Sequence, residues 1–204
     1  MIFQYPQHSH TRRHGPRGYV NYKSYKPWLR DEFDFRCVYC LWRERWYAAG
    51  EAAFSVEHLQ SQAVAPQLVC EYENLVYACC RCNSIKTDAA AVLDPCRDAF
   101  GHHLVVLTDG RIHGLTPEGH ELIRICKLDQ PLLIESRRRL IELLQTLQES
   151  DSPRAARLRE QYLRFPRNLP VLARCSPPGG NAQPEGIATS YYERARRAEL
   201  PAVY

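Results

Sequence analysis

The sequence predicts an α+β protein, and three observations carry that class. Two C-x-x-C pairs, Cys37-Val-Tyr-Cys40 and Cys79-Cys-Arg-Cys82, bracket short apolar runs of strand character. A further pair of such runs lies on either side of Asp109-Gly110. From Thr116 onward the apolar spacing becomes helical. At 204 residues the chain is long enough to bury one sizeable core with a small appendage.

The elements follow in order. Residues 1–30 form a basic arm, with Arg12, Arg13, Arg17, Lys23, Lys26 and Arg30, three histidines (His8, His10, His14) and no Asp or Glu. Such an arm suits contact with a phosphate backbone, and a solvated leader is the plainer alternative. Lys26–Arg30 reads as a short helix or turn. Residues 31–95 hold the paired cysteines and two strands, Phe54–Leu59 and Leu75–Cys79, followed by a helix over Asn83–Val92 that Asp94-Pro95 closes. Residues 96–175 begin with a hairpin, Leu104–Leu107 and Arg111–His113. Thr116 caps a helix with Pro117 at its first position, running to Cys126. A longer helix starts at Asp129 with Leu133, Leu140, Leu144 and Leu147 on one face, leaving Arg137, Arg138 and Arg139 on the wet face, with DNA contact as the alternative. Another spans Ser152–Phe165 with Ala155, Leu158, Tyr162 and Phe165 together. Residues 176–204 comprise a Pro- and Gly-rich linker, Ser176–Gln183, and a last helix whose capping box is Ser190 and Glu193.

Composition narrows the function classes. No stretch is apolar enough to span a bilayer and no signal-peptide core opens the chain, so a cytoplasmic protein is expected. Nine cysteines in that compartment point to metal more than to disulfides. Two C-x-x-C pairs present four thiolates to one ion, a closed structural Zn²⁺ site of Cys37, Cys40, Cys79 and Cys82. Cys80 breaks the repeated spacing and falls outside it. Cys70, Cys96, Cys126 and Cys175 read as small apolar residues or free thiols. His102, His103, His113 and His120 have no ligand-like neighbours and read as structural or surface residues.

Between and just after the cysteine pairs lie Glu57-His58, Asn74-Leu75 and Asn83-Ser-Ile-Lys86. Taken singly, these are a surface-and-core strand pair, a turn residue, a helix cap and a solvated lysine. Taken in order, they make the chain resemble the HNH endonuclease family in its four-cysteine subclass. That pattern reads C-x-x-C, acid-His, Asn-Leu, then C-x-x-C-N-x-x-K, and it covers about a quarter of the chain.

The resemblance implies a ββα-metal core around one divalent ion, Mg²⁺ or Mn²⁺, and a phosphodiester hydrolase acting on DNA. His58, neutral near pH 7, suits a general base. Glu57 and Asn83 offer hard oxygen ligands. Asn74 is implied to bond the backbone of the loop after His58, and Lys86, one turn beyond Asn83, to face the same way and contact phosphate. Arg81, between two cage cysteines, is expected at the surface, either touching backbone phosphate or as an ordinary surface arginine, while Arg12, Arg13 and Arg17 belong to the phosphate-contacting arm. Neighbouring strand residues point to opposite faces. Glu57 and His58 therefore share a site only if the strand ends or bulges there, as the family's strand-to-loop junction implies. One departure stands out: Gln60-Ser61-Gln62-Ala63 follows the histidine, with proline only at Pro66, so a third metal ligand is left unassigned. Two further readings remain: an inactive zinc module that binds nucleic acid or protein, and, by family habit, the effector nuclease of a prokaryotic anti-phage system beside an ATPase partner.

Overall fold

A computed structural model describes residues 2–89 and 93–204. In chain order the helices are α1 (Lys26–Glu32), α2 (Cys80–Lys86), α3 (Phe100–His103), α4 (Pro117–Cys126), α5 (Pro131–Glu149), α6 (Pro153–Leu163), α7 (Glu185–Ala188) and α8 (Tyr191–Arg196). The strands are β1 (Phe54–His58), β2 (Leu75–Cys79), β3 (Leu104–Val106) and β4 (Ile112–Gly114). They make two antiparallel pairs, β1 with β2 and β3 with β4. Packing divides the chain into two units. One is drawn from Met1–His10, Ala91–Arg164 and Ala202–Tyr204, the other from Thr11–Ala90 and Phe165–Pro201. The helical C-terminal region and the α+β class match the pattern in the sequence.

The second unit holds both cysteine pairs. Its core is aromatic: Trp28 and Leu29 of α1 are fully buried, and Phe54 of β1 stacks on Tyr77 of β2. Charge is buried there too, but paired. Arg30 grips Glu44 with two hydrogen bonds of 2.9 Å, and the Tyr77 hydroxyl donates to the same carboxylate at 2.7 Å. The helix expected over Asn83–Val92 begins earlier and ends earlier. The second C-x-x-C turn is itself the first turn of α2, with Cys79 Sγ accepting from the Cys82 amide, and Thr87 at φ +49° ends the helix. Residues 90–92 of that expectation lie outside the described residues.

Two readings of the chain ends change. Residues 11–17 are folded in rather than a loose leader. Arg12 lies over the rings of Phe33 and Tyr72, with its guanidinium 5.1 and 4.8 Å from their centroids. Arg13 pairs with Asp31, Glu32 and Asp34, and His14 Nε2 lies 3.2 Å from Asp31 Oδ2. Ser176–Gln183 is not a free linker either. Arg17 and Gly180 bond through their backbones, as do Gly179 with Arg17 and Ala182 with Gly15. Gly18 allows this approach, since a Cβ there would lie 2.5 Å from the Gly179 nitrogen.

In the first unit the hairpin turns at Gly110 (φ +83°), and Thr116 caps α4 by accepting from the Gly119 amide. α5 starts at Pro131 rather than Asp129. Arg137, expected on its wet face, is fully buried on the line of Leu140, Ile141 and Leu144. Its guanidinium donates to the carbonyls of Gly110 and Leu128, satisfying two backbone acceptors that water cannot reach. Arg138 and Arg139 do face solvent, each paired with a glutamate one turn away. α6 packs on α5 through Ala155 and Leu163, whereas Leu158 and Tyr162 are more than a third exposed. Capping by Ser190 accounts for half of the box expected at α8, its hydroxyl accepting from the Glu193 amide. Among the described residues, no helix is long and apolar enough to cross a membrane.

Candidate active site and zinc cage

The β1–β2 hairpin ends where α2 begins, and that junction builds the cage. The Sγ atoms of Cys37, Cys40, Cys79 and Cys82 all lie within 4.8 Å of one another, and all four residues are buried. Cys40 and Cys79 Sγ are 3.7 Å apart. A tetrahedral ion with Zn–S bonds of about 2.3 Å separates its sulfurs by about 3.8 Å, so the donor set fits zinc in spacing and in softness. Hydrogen bonds from Cys37, Cys40 and Cys82 pull the Cys79 thiol far down, while burial pushes Cys37 up. A bound dication would ionise all four thiols. Cys80 is exposed and stands outside the cage. Arg81, expected at the surface, is half-buried and leans on the cage, its Nη1 3.8 Å from Cys82 Sγ.

α2 lies over one face of β1. Ser55 and Glu57, two residues apart on the strand, meet Asn83 and Lys86, three apart on the helix. Asn83 Nδ2 donates to Ser55 Oγ (2.6 Å) and to the Val56 carbonyl (3.3 Å). A carbonyl only accepts, so this contact turns the Asn83 oxygen away from the strand. Lys86 Nζ lies 2.8 Å from Glu57 Oε1 and donates to the His58 carbonyl at 2.9 Å. Burial pushes the Glu57 carboxyl up while the Lys86 charge pulls it back. Lys86 is therefore not a surface cation waiting for phosphate: it is 1% exposed and neutralises a buried carboxylate. Glu57 Oε2 and Asn83 Oδ1 accept no hydrogen bond from any described residue.

The β1–β2 register runs regularly to His58↔Leu75, and the strand ends there without a bulge. Because the strand ends at His58, alternation does not force its ring away from Glu57: Lys86 contacts both Glu57 and the His58 carbonyl, and its charge also acts on the His58 ring. The His58 ring packs edge-on against Tyr22, with centroids 4.7 Å apart, and its Nε2 lies 3.0 Å from the Val69 carbonyl. Nε2 must then carry the proton, and Nδ1 keeps the lone pair. Burial lowers the His58 pKa, as does the nearby Lys86 charge, against the Val69 contact that raises it. The ring is neutral at pH 7.

Asn74 holds the loop after His58. Its Oδ1 accepts from the Gln60 amide at 2.8 Å, and its Nδ2 donates to the Gln60 and Leu68 carbonyls, each at 3.1 Å. Pro66 opens the 3-10 turn Pro66–Leu68 that supplies one of these acceptors. Against this geometry, the model of the HNH endonuclease family matches residues 37–89. Residues 37–89 are an HNH endonuclease domain. No curated protein matches the chain.

Around the HNH site, three contributors were not singled out from sequence. Ser55 was legible in principle, since it sits two residues before Glu57 on the same strand face. Tyr22 and the Val69 carbonyl carried no signal, because their roles come from position alone. Arg17 is exposed and pairs with no described side chain, in contrast to Arg12 and Arg13.

Proposed function

We propose that the chain is an endonuclease that hydrolyses DNA phosphodiester bonds with the help of one divalent ion. The observation that carries this reading is the state of His58 inside an HNH domain: neutral, with Nε2 committed to Val69 and Nδ1 left as a base. His58 takes a proton from the attacking water. The water oxygen bonds to phosphorus, the bond to the 3′ oxygen breaks, and the displaced oxygen takes up a proton. Glu57 and Asn83 would hold Mg²⁺ or Mn²⁺ through their unclaimed oxygens, and hard oxygen donors suit either ion. When bound, the ion supplies charge neutralisation at the non-bridging phosphate oxygens. Asn74 keeps the loop after His58 in place. Zinc in the cysteine cage is structural, because the cage leaves no open position.

Arg17 contributes to backbone contact in this reading, while Arg12, Arg13, Lys86 and Arg81 act through the fold that presents the site. A role as an anti-phage effector beside an ATPase rests on family habit, and co-purification of native complexes tests it. The alternative, an inactive zinc module, is separated by supercoiled plasmid incubated with Mg²⁺, Mn²⁺ or chelator. Metal-dependent conversion to nicked or linear DNA is expected. Failure to cut plasmid, single strands and RNA under every metal condition would leave the inactive module standing.

A further inference from the structure

Positive and negative side chains balance over residues 93–164 of the first unit. They are not evenly distributed. Arg111, Arg124, Arg138 and Arg139 each sit on a carboxylate, at Asp109, Glu121, Glu142 and Glu135. The arginines of α6 and its C-cap, Arg154, Arg157, Arg159 and Arg164, pair with no carboxylate among the described residues. Arg154 and Arg157 are exposed and one turn apart, so they share a face, which the helical period sets opposite the Ala155–Leu163 line packed on α5. Unpaired cations cost an electrostatic advantage that their neighbours on α5 retain, and the helix holds only one acid, Glu160, that could have quenched them.

We infer that the outer face of α6 is a binding surface for the phosphate backbone of duplex nucleic acid, separate from the HNH residues. This rests on the nuclease reading for its choice of polyanion. Duplex DNA carries one charge per about 1.7 Å of axis. Arg154 and Arg157 lie about 4.5 Å apart along the helix axis and so reach two neighbouring phosphates. An anionic bilayer is the other polyanion a basic helix meets, but such a helix inserts a broad apolar face. Here Ala155 and Leu163 are buried, and the large apolar side chains exposed on α6 are Leu158 and Tyr162, each little more than a third exposed, too narrow a patch for such a face. Guanidinium groups also suit phosphate through bidentate hydrogen bonds.

The test compares duplex binding by the full chain with and without Arg154→Gln/Arg157→Gln, both in a His58→Ala background so that the probe stays intact. Fluorescence anisotropy on a 30-bp duplex from 50 to 300 mM salt gives affinity and salt slope. The double change should weaken binding roughly tenfold at 150 mM salt and lower the slope by about two. Arg154→Glu/Arg157→Glu should weaken it further, and Arg138→Gln/Arg139→Gln, which removes paired arginines, should not. Circular dichroism and zinc content confirm that every variant is folded. Unchanged affinity and slope, with the parent still binding steeply, would overturn the α6 surface and leave the nuclease reading intact. Loss of sedimentation with phosphatidylserine vesicles in place of DNA binding would also overturn it, assigning the helix to lipid. A parent chain that neither nicks plasmid nor binds duplex would sink both.

Discussion

Lys86 and Glu57 form a buried ion pair, with Nζ and Oε1 2.8 Å apart and both side chains less than 5% exposed. The ammonium also ties the end of β1 to α2 through the His58 carbonyl. Removing one member of such a pair leaves an uncompensated charge, whereas removing both leaves none. Lys86→Met should therefore lower folding stability by about 3–5 kcal/mol, and adding Glu57→Gln should recover more than half of the loss. Urea denaturation of both variants measures this. A single variant as stable as the parent would mean the pair contributes nothing to the fold.

This pair shows where sequence reading ran out. Ordered motif positions placed the two cysteine pairs, both strands of the hairpin and the face shared by Asn83 and Lys86, because spacing and strand alternation are local properties. Whether Lys86 looks outward or inward depends on what β1 offers beneath it, and Glu57 was assigned to a different task. Arg12, Arg13 and Arg137 were misread for the same reason. A run of basic residues looks solvated until the partners, here Asp31, Glu32 and two aromatic rings for the arm and two carbonyls for α5, are brought from elsewhere in the chain. Exposed Leu158 and Tyr162 mark a related gap, since helical periodicity finds a face but not which side of it packs.

The cage gives a second prediction. Folding and ligation are coupled in a closed four-cysteine site. Cys37→Ser should lose zinc and leave unfolded or aggregated protein, while Cys80→Ser, outside the cage, should keep one zinc per chain. Elemental analysis of purified protein reads both. Well-folded wild-type protein without zinc would end the structural-metal assignment.

The arm yields a third. Arg12 donates to the Leu75 carbonyl at 2.7 Å and covers two aromatic rings, so it ties the N-terminal segment to the strand that carries the cage. Arg12→Ala should cost about 1–3 kcal/mol, and deletion of residues 1–25 should compromise folding itself. Arg17→Gln should stay within about 0.5 kcal/mol and show instead as a shallower salt dependence of DNA binding. Thermal melts distinguish the two. Equal melting temperatures for Arg12→Ala and the parent would return the arm to a loose leader.

The last prediction separates a base from a ligand and from the residue that orients the ligand. Among the described residues the His58 ring bonds to the Val69 carbonyl and packs on Tyr22, so His58→Ala, which keeps the backbone contact with Lys86, should leave folding, zinc and DNA binding intact. It removes the only lone pair assigned to proton transfer, and general-base catalysis is worth about 10²–10⁴ in rate. Cleavage should fall by at least that range, and added metal should not restore it. Asn83→Ala removes an oxygen offered to the divalent ion, so its loss should be partly reversed by raising Mg²⁺ or Mn²⁺. Ser55→Ala touches neither the base nor the ligand oxygen. It frees the Asn83 amide from a 2.6 Å anchor, leaving the longer Val56 contact to hold it. Mn²⁺ binding followed by electron paramagnetic resonance should weaken modestly, with cleavage recovering fully at saturating metal. Wild-type cleavage rates in His58→Ala would mean that the HNH mechanism does not operate in this chain. Unchanged Mn²⁺ affinity in Asn83→Ala would move the metal to other ligands while leaving the base in place.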